Sequence, residues 1–326
     1  MVIDQFGRHL SYLRVSLTDR CNLRCIYCMP QNIRFQPTSS LMTDSEIYRL
    51  TALFADLGFK KFRLTGGEPT VRPGILEIVQ HLSQLPGVQD VVMTTNGMRL
   101  AELAHPLAHA GLRRVNISID ALDARTFQRM TSRGDFDKVW AGIIAAERAG
   151  LTPMKLNAVI ARGYNDESVT ALAKLTLEHA WQIRFIELMP LGDMAAFSTQ
   201  HFVSEEEMRT RIAAEFMPLL PVNDDKLDGE ARLYQFTDGL GTVGFISSVS
   251  QPFCAQCNRA RLTADGILRL CLLQNSEVDL LTPLRAGASD DELKEMISSG
   301  LYRKPWGHQL FADVAPVGRV MSQIGG

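Results

Sequence analysis

The six cysteines of this 326-residue chain fall into two triplets. Cys21, Cys25 and Cys28 share the short stretch "CNLRCIYC", spacing C-x3-C-x2-C; Cys254, Cys257 and Cys271 follow C-x2-C-x13-C. A lone cysteine is usually a small buried hydrophobe. Clustered thiols in a reducing compartment more often bind metal or do redox chemistry. Structural zinc wants four closed ligands. Building such a site from Cys25, Cys28, Cys254 and Cys257 would strand Cys21 and Cys271, across a separation far beyond ribbon spacing. A cubane iron–sulfur cluster takes one thiolate on each of its four irons. The first triplet therefore leaves one iron open to an outside ligand. A zinc-stabilised binding protein without catalysis is the competing reading.

Positioning such ligands takes a scaffold, and the chain up to about residue 190 supplies alternating strands and helices. "YLRVSL" (12–17), "KKFRLT" (60–65), "VQDVVMTT" (88–95), "RRVNISI" (113–119), "MKLNAVI" (154–160) and "QIRFIEL" (182–188) read as strands. Thr43 and Glu46 form a capping box opening a helix that ends at Gly58. Pro73 suits the first turn of a second helix, and Asn165 the cap of "DESVTALAKLTLEHA". Six strand–helix alternations predict an α/β fold, a partial (β/α)6 TIM-like barrel. The sequence after 215 lacks the two further units of a closed barrel. It offers a glycine-rich hairpin in "YQFTDGLGTVGFISSVS", the second cysteine triplet and a last helix near 289–299. The expected division is a barrel core at 1–215 and a C-terminal region at 216–326 covering the open side. "GLGTVG" (239–244) fits a dinucleotide fingerprint, but "FISSVS" follows where a helix should open. There is no phosphate-loop motif either.

Composition sets the outer limits. At 46% hydrophobic residues the chain buries a full core. A net charge of −2 supplies no global field for nucleic acid or a membrane surface, so an anionic ligand must meet a local cation cluster. The N-terminus shows no signal-peptide pattern, and no apolar run is long enough to span a bilayer. A soluble, cytoplasmic protein is expected.

The first triplet, with its place after the first barrel strand, resembles the signature of the radical S-adenosylmethionine superfamily. That resemblance implies an open iron chelating S-adenosylmethionine, whose one-electron cleavage gives methionine and a 5′-deoxyadenosyl radical. Tyr27 matches the aromatic position beside the adenine. "GGEP" (66–69), with Gly67 and Glu68, matches the motif contacting the methionine amino group, and Ser118 and Met189 match positions lining the same pocket.

A closer resemblance runs over nearly the whole chain. "GRHLSYLRVSLTDRCNLRCIYCMP", "FRLTGGEP", "TTNG", "VNISIDAL", "RFIELMP", "FCAQCNRARLTADGILRLCLL" and the terminal "IGG" are similar to the molybdenum cofactor biosynthesis protein A family, the GTP 3′,8-cyclases. The resemblance implies a second open 4Fe-4S cluster on Cys254, Cys257 and Cys271, its free iron meeting the guanine of GTP. A triphosphate needs fixed cations, Arg above all. Arg14, Arg63 and Lys155 lie on three different expected strands, and Arg259 and Arg261 follow the cysteine pair. These five, with Thr94 and Ala260, match the family's GTP-contacting positions; Ala260 stands where a bulky aliphatic residue is commoner. The resemblance further implies hydrogen abstraction from C3′, attack on C8, and (8S)-3′,8-cyclo-7,8-dihydroguanosine 5′-triphosphate as product. It implies an electron donor of flavodoxin or ferredoxin type and transfer of product to cyclic pyranopterin monophosphate synthase, by a monomer or homodimer. Gly325 and Gly326 match a tail that reaches the active site. A peptide-modifying radical S-adenosylmethionine enzyme is the alternative within the superfamily, although such enzymes usually carry more C-terminal cysteines.

Overall fold

The computed structural model describes residues 2–222, 227–308 and 318–325. A two-residue hairpin, β1 (Val2–Ile3) with β2 (His9–Leu10), precedes the main sheet. The six expected strands follow: β3 (Tyr12–Ser16), β4 (Lys61–Thr65), β5 (Asp90–Thr95), β6 (Arg114–Ser118), β7 (Lys155–Ile160) and β8 (Gln182–Glu187). Then come β9 (Leu220–Pro221), β10 (Arg232–Gln235), β11 (Thr242–Ile246), β12 (Arg259–Leu262), β13 (Ile267–Arg269) and β14 (Glu277–Asp279). Strands β3 to β8 pair in parallel in chain order, and their apolar side chains are almost wholly buried, as helix-covered parallel strands require.

The sheet does not close. Its order is β14-β13-β12-β3-β4-β5-β6-β7-β8-β11-β10-β9, so the C-terminal region extends both edges. β12 joins parallel to β3, and β11 joins parallel to β8. The expected hairpin is β10 with β11, and the glycine fingerprint falls in its turn and in β11.

The helical signals are local and mostly hold. Thr43 and Glu46 make a reciprocal capping box on α1 (Asp44–Asp56), and Ser289 with Glu292 does the same for the helix Asp290–Tyr302. The second helix, Ile75–Gln84, starts after Gly74, so Pro73 lies just outside it. Asn165 is a correction. The helix Ser168–Glu178 has no side-chain cap, because Asn165 Nδ2 donates to the Asp120 and Val159 carbonyls while its Oδ1 accepts from Ala161 N.

Candidate active site

Both thiol triplets face one cavity, whose empty space, open mouth included, is about 2000 Å³. They approach it from opposite ends of β3. Cys21, Cys25 and Cys28 follow its C-terminal end. Cys257 precedes β12, which pairs parallel with β3, and Cys271 follows β13, which runs back antiparallel. The second triplet therefore lies toward the N-terminal end of β3. What stands between the triplets is set by register.

Across three neighbouring strands Arg261 pairs with Arg14, and Arg14 with Arg63. Three guanidiniums thus share one row, about 4.8 Å from strand to strand. Thr94 stands two residues beyond Val92, the register partner of Arg63, and its Oγ1 accepts from Arg63 Nη1 at 3.0 Å. Further round the inner wall Asn116 pairs with Thr94, and Arg184 with Asn157. Arg259 lies two residues before Arg261, on the same face of β12. Burial above all, then the charges of Arg14 and Arg259, lowers the pKa of Arg261; burial is also the main cause that brings Arg14 down to about 10.

Two carboxylates answer these cations. Glu230 Oε1 lies 2.5 Å from Arg259 Nη1 and 3.9 Å from Arg14 Nη1. Burial alone would raise the Glu230 carboxyl. The guanidiniums of Arg259, Arg14, Arg63 and Arg184 outweigh it and hold the group well below the usual range. Asp228 pairs with Lys155 and, at 2.7 Å, with Arg184. Burial, with Arg184 adding to it, lowers Lys155 to about 8 against the pull of Asp228.

At the first triplet, Cys28 N donates to Cys25 O at 3.0 Å, closing the loop. Leu23 N donates to Cys21 Sγ at 3.3 Å, and Ser322 N donates to the Cys28 sulfur. Burial pushes Cys21 up to about 11 and Cys28 up to about 12, so thiolates here need the compensating positive charge of iron. At the second triplet, burial tends to raise the Cys257 thiol, but Arg259 and Lys304 outweigh it and bring it to about 7. His308 N donates to the Cys254 sulfur. Among the described residues no three His, Cys, Asp or Glu side chains converge on one metal ion. A cubane, which takes one thiolate per iron, needs no such convergence. Six free cysteines with N–H donors aimed at sulfur in each triplet fit two such clusters.

Beside the first triplet, Tyr27 donates its hydroxyl to Asp120 Oδ2 at 2.9 Å. Burial raises Asp120 to about 6. Gly66 (φ +148°) and Gly67 pack so closely on the backbone of residues 18–20 that a Cβ at either would overlap it. Glu68 ties this turn to the next strand end, accepting from Thr70 N at 3.0 Å, Thr95 Oγ1 at 2.7 Å and Asn96 N at 2.7 Å.

Most of the expected residues meet here. The cavity is lined by all six cysteines and by Arg14, Tyr27, Arg63, Gly67, Glu68, Thr94, Ser118, Met189, Arg259 and Arg261. Lys155, paired with Asp228, is not on the wall. Ala260 is not brought to the cavity. Strand alternation turns its methyl group into the apolar core, away from its two arginine neighbours. Gly325 reaches the cation row: its carbonyl accepts from Arg14 Nη2 at 3.3 Å and Arg261 Nη1 at 3.5 Å. Gly326 lies outside the described residues. Sequence reasoning passed over Asp120, Arg184, Asp228, Glu230 and Lys304. Arg184 had a usable signal, a charged residue in the middle of a strand reading as buried on both faces.

The chain is similar to known proteins along its length. Residues 15–176 match the Radical SAM superfamily model, and residues 181–310 match Molybdenum Cofactor Synthesis C. The chain is 44% identical over 324 residues to the GTP 3′,8-cyclase of Pelotomaculum thermopropionicum, covering 99% of each. It is 47% identical over 324 residues to that of Gloeobacter violaceus, covering 97% of this chain and 99% of the relative. The chain belongs to the GTP 3′,8-cyclase family. Radical S-adenosylmethionine enzymes use a 4Fe-4S cluster with S-adenosylmethionine, and GTP 3′,8-cyclases carry an additional cluster. The fold extends further: SuiB of Streptococcus suis, solved bound to S-adenosylmethionine, superposes with a TM-score of 0.64 at 13% identity. That likeness covers 98% of this chain and 76% of SuiB. Among the described residues of this cyclase, no helix is long and apolar enough to cross a membrane.

Proposed function

We propose that this chain converts GTP to (8S)-3′,8-cyclo-7,8-dihydroguanosine 5′-triphosphate, the first step of molybdenum cofactor biosynthesis. The observation that carries the reading is the row Arg261, Arg14, Arg63 standing between two three-thiol loops. A radical enzyme acting on a neutral peptide has no need of three guanidiniums side by side. A triphosphate does.

Cys21, Cys25 and Cys28 would hold the first cluster, and Cys254, Cys257 and Cys271 the second. When bound, the first cluster supplies the electron that splits S-adenosylmethionine into methionine and a 5′-deoxyadenosyl radical. Tyr27, Gly67, Glu68, Ser118 and Met189 would seat that cofactor. Arg14, Arg63, Arg259, Arg261, Thr94 and Lys155 would seat GTP, and Gly325 with Gly326 would shape the closed site. Ala260 contributes at most its backbone. The chain's own work is to orient two substrates and exclude water.

Residues 1–215 then form the radical-generating core, and 216–326 the region that carries the second cluster. With this reading go a flavodoxin- or ferredoxin-type electron donor, hand-over to cyclic pyranopterin monophosphate synthase, a monomer or homodimer, and a cytoplasmic setting. The test is anaerobic incubation of reconstituted protein with GTP, S-adenosylmethionine and reductant, read by liquid chromatography coupled to mass spectrometry. The expected products are 5′-deoxyadenosine and a cyclised triphosphate isobaric with GTP. Deoxyadenosine with unaltered GTP would sink the assignment of substrate.

A further inference from the structure

"IDQFGRHL" (3–10) lies ahead of every element just assigned a role. Its hairpin is organised around one ion pair. Asp4 Oδ1 accepts from Phe6 N at 3.0 Å and Arg8 N at 2.9 Å, and Asp4 Oδ2 accepts from Arg8 Nε at 2.6 Å. Gly7, at φ +80°, makes the turn. Asp4 and Arg8 are only 3% and 8% exposed. A buried guanidinium needs its donors used, and here Nε goes to Asp4 while both Nη groups go to distant parts of the chain.

Arg8 Nη1 donates at 2.8 Å to the carbonyl of Cys254, the first thiol of the second triplet, and at 2.8 Å to that of Trp306. Nη2 donates to Pro305 O at 2.6 Å. The rings of Phe6 and Trp306, themselves edge-to-face at 5.4 Å, lie 5.5 and 5.6 Å from the guanidinium. Gln5 adds its N–H to Tyr302 O at 3.0 Å and its side-chain amide to Lys304 O at 3.3 Å. The hairpin therefore grips residues 302–306, where the chain leaves its last helix.

The strap so held, residues 304–308, wraps the second triplet. The Lys304 ammonium is buried, donates to the Leu270 carbonyl next to Cys271, and adds positive charge at Cys257 and Cys271. Gly307 passes so close that a Cβ would lie 3.0 Å from Cys254 Sγ. Gln274 donates to the Gly307 carbonyl, and His308 N donates to the Cys254 sulfur. Hydrogen bonds and charge around ligating sulfurs set how firmly a cluster is held and at what potential it is reduced.

We propose that Arg8, fixed by Asp4, is a positioning residue for the second cluster: it clamps the Cys254 loop to the 304–308 strap. The inference rests on the reading that the second triplet carries a cluster. Its chemistry needs the guanidinium fork, since one lysine ammonium cannot reach three carbonyls and a carboxylate in these directions.

The test compares wild-type chain with Arg8→Lys, both reconstituted anaerobically. Electron paramagnetic resonance separates the two clusters by the signal that S-adenosylmethionine shifts and the signal that GTP shifts. In Arg8→Lys the GTP-shifted signal should bleach under a chelator about tenfold faster than in wild type, the scale of lost second-shell support. The S-adenosylmethionine-shifted signal should keep its wild-type rate. Equal rates in variant and wild type, or both signals decaying together, would overturn the proposal. Gly307→Ala, which spares the hairpin, should show the same selective loss, so a failure of Arg8→Lys to fold leaves the question answerable. Wild-type protein with about four irons and no GTP-shifted signal would instead refute the two-cluster reading.

Discussion

Glu230 and Arg259 pair at 2.5 Å beside the cation row, their side chains only 12% and 14% exposed. Without a substrate, Glu230 is the main counter-charge for guanidiniums that register places side by side. A triphosphate would have to compete with it.

Replacing Glu230 by Gln leaves those guanidiniums undercompensated. Removing one partner of a buried pair costs roughly 3–5 kcal/mol. The ligand-free variant should melt at lower temperature than wild type. Inorganic triphosphate should then raise its melting temperature more than it raises that of wild type, because the anion replaces the lost carboxylate. Thermal unfolding with and without triphosphate checks this. The same upward shift in both proteins would show that Glu230 and the anion do not share a place.

The two triplets should fail differently. Cys25→Ala should abolish formation of 5′-deoxyadenosine, since the first cluster loses a ligand. Cys257→Ala should retain uncoupled deoxyadenosine formation while cyclised product disappears. Iron analysis alongside product analysis distinguishes the cases, and near-normal product from Cys257→Ala would make the second triplet purely structural.

Lys155 gives a pH signature. Its ammonium is lowered to about 8 in the ligand-free protein, first by burial and then by Arg184. Above that pH the side chain is mostly neutral, while a bound triphosphate favours the charged form. Binding should therefore take up a proton, and GTP affinity should fall as pH rises above 8, approaching about tenfold per unit. Calorimetry in two buffers of different ionisation enthalpy measures the uptake. Lys155→Arg should bind with little pH dependence from 7 to 9; a slope equal to that of wild type would assign the proton elsewhere.

How far the sequence reaches depends on how local each signal is. Thr43 with Glu46, and Ser289 with Glu292, sit within one helical turn, and both capping boxes form. The six barrel strands were legible for the same reason. The register joining Arg261 to Arg14 was not, because β12 and β3 come from opposite ends of the chain and neither pattern names its partner. Glu230 and Asp228 sit near an irregular turn with no periodicity to read. Asn165 misled because its side chain, a good helix cap in isolation, is recruited by Asp120 and Val159. Ala260 was foreseeable: it alternates with two arginines on one strand, and all three side chains cannot face the same way.

The tail offers the sharpest test. Val320 and Ile324 are buried, Ser322 N donates to the Cys28 sulfur, and Gly325 then turns at φ +81° beneath Arg14 and Arg261. A Cβ there would lie 2.7 Å from Thr65 Oγ1 and 3.2 Å from Ser16 Cβ, in a backbone conformation that L side chains rarely adopt. Gly325→Ala therefore strains the chain and collides with β3 and β4, which expels the tail from the row. Six cysteines remain in place, so the iron content should equal that of wild type. S-adenosylmethionine cleavage should persist, since none of the residues proposed to seat that cofactor is altered. Cyclised product should fall roughly a hundredfold, the cost of a small misplacement of reacting groups. The two activities must be measured on one sample, deoxyadenosine against cyclised triphosphate. If both fall in proportion, the tail supports radical generation; if neither falls, Gly325 is a packed terminus with no part in the reaction.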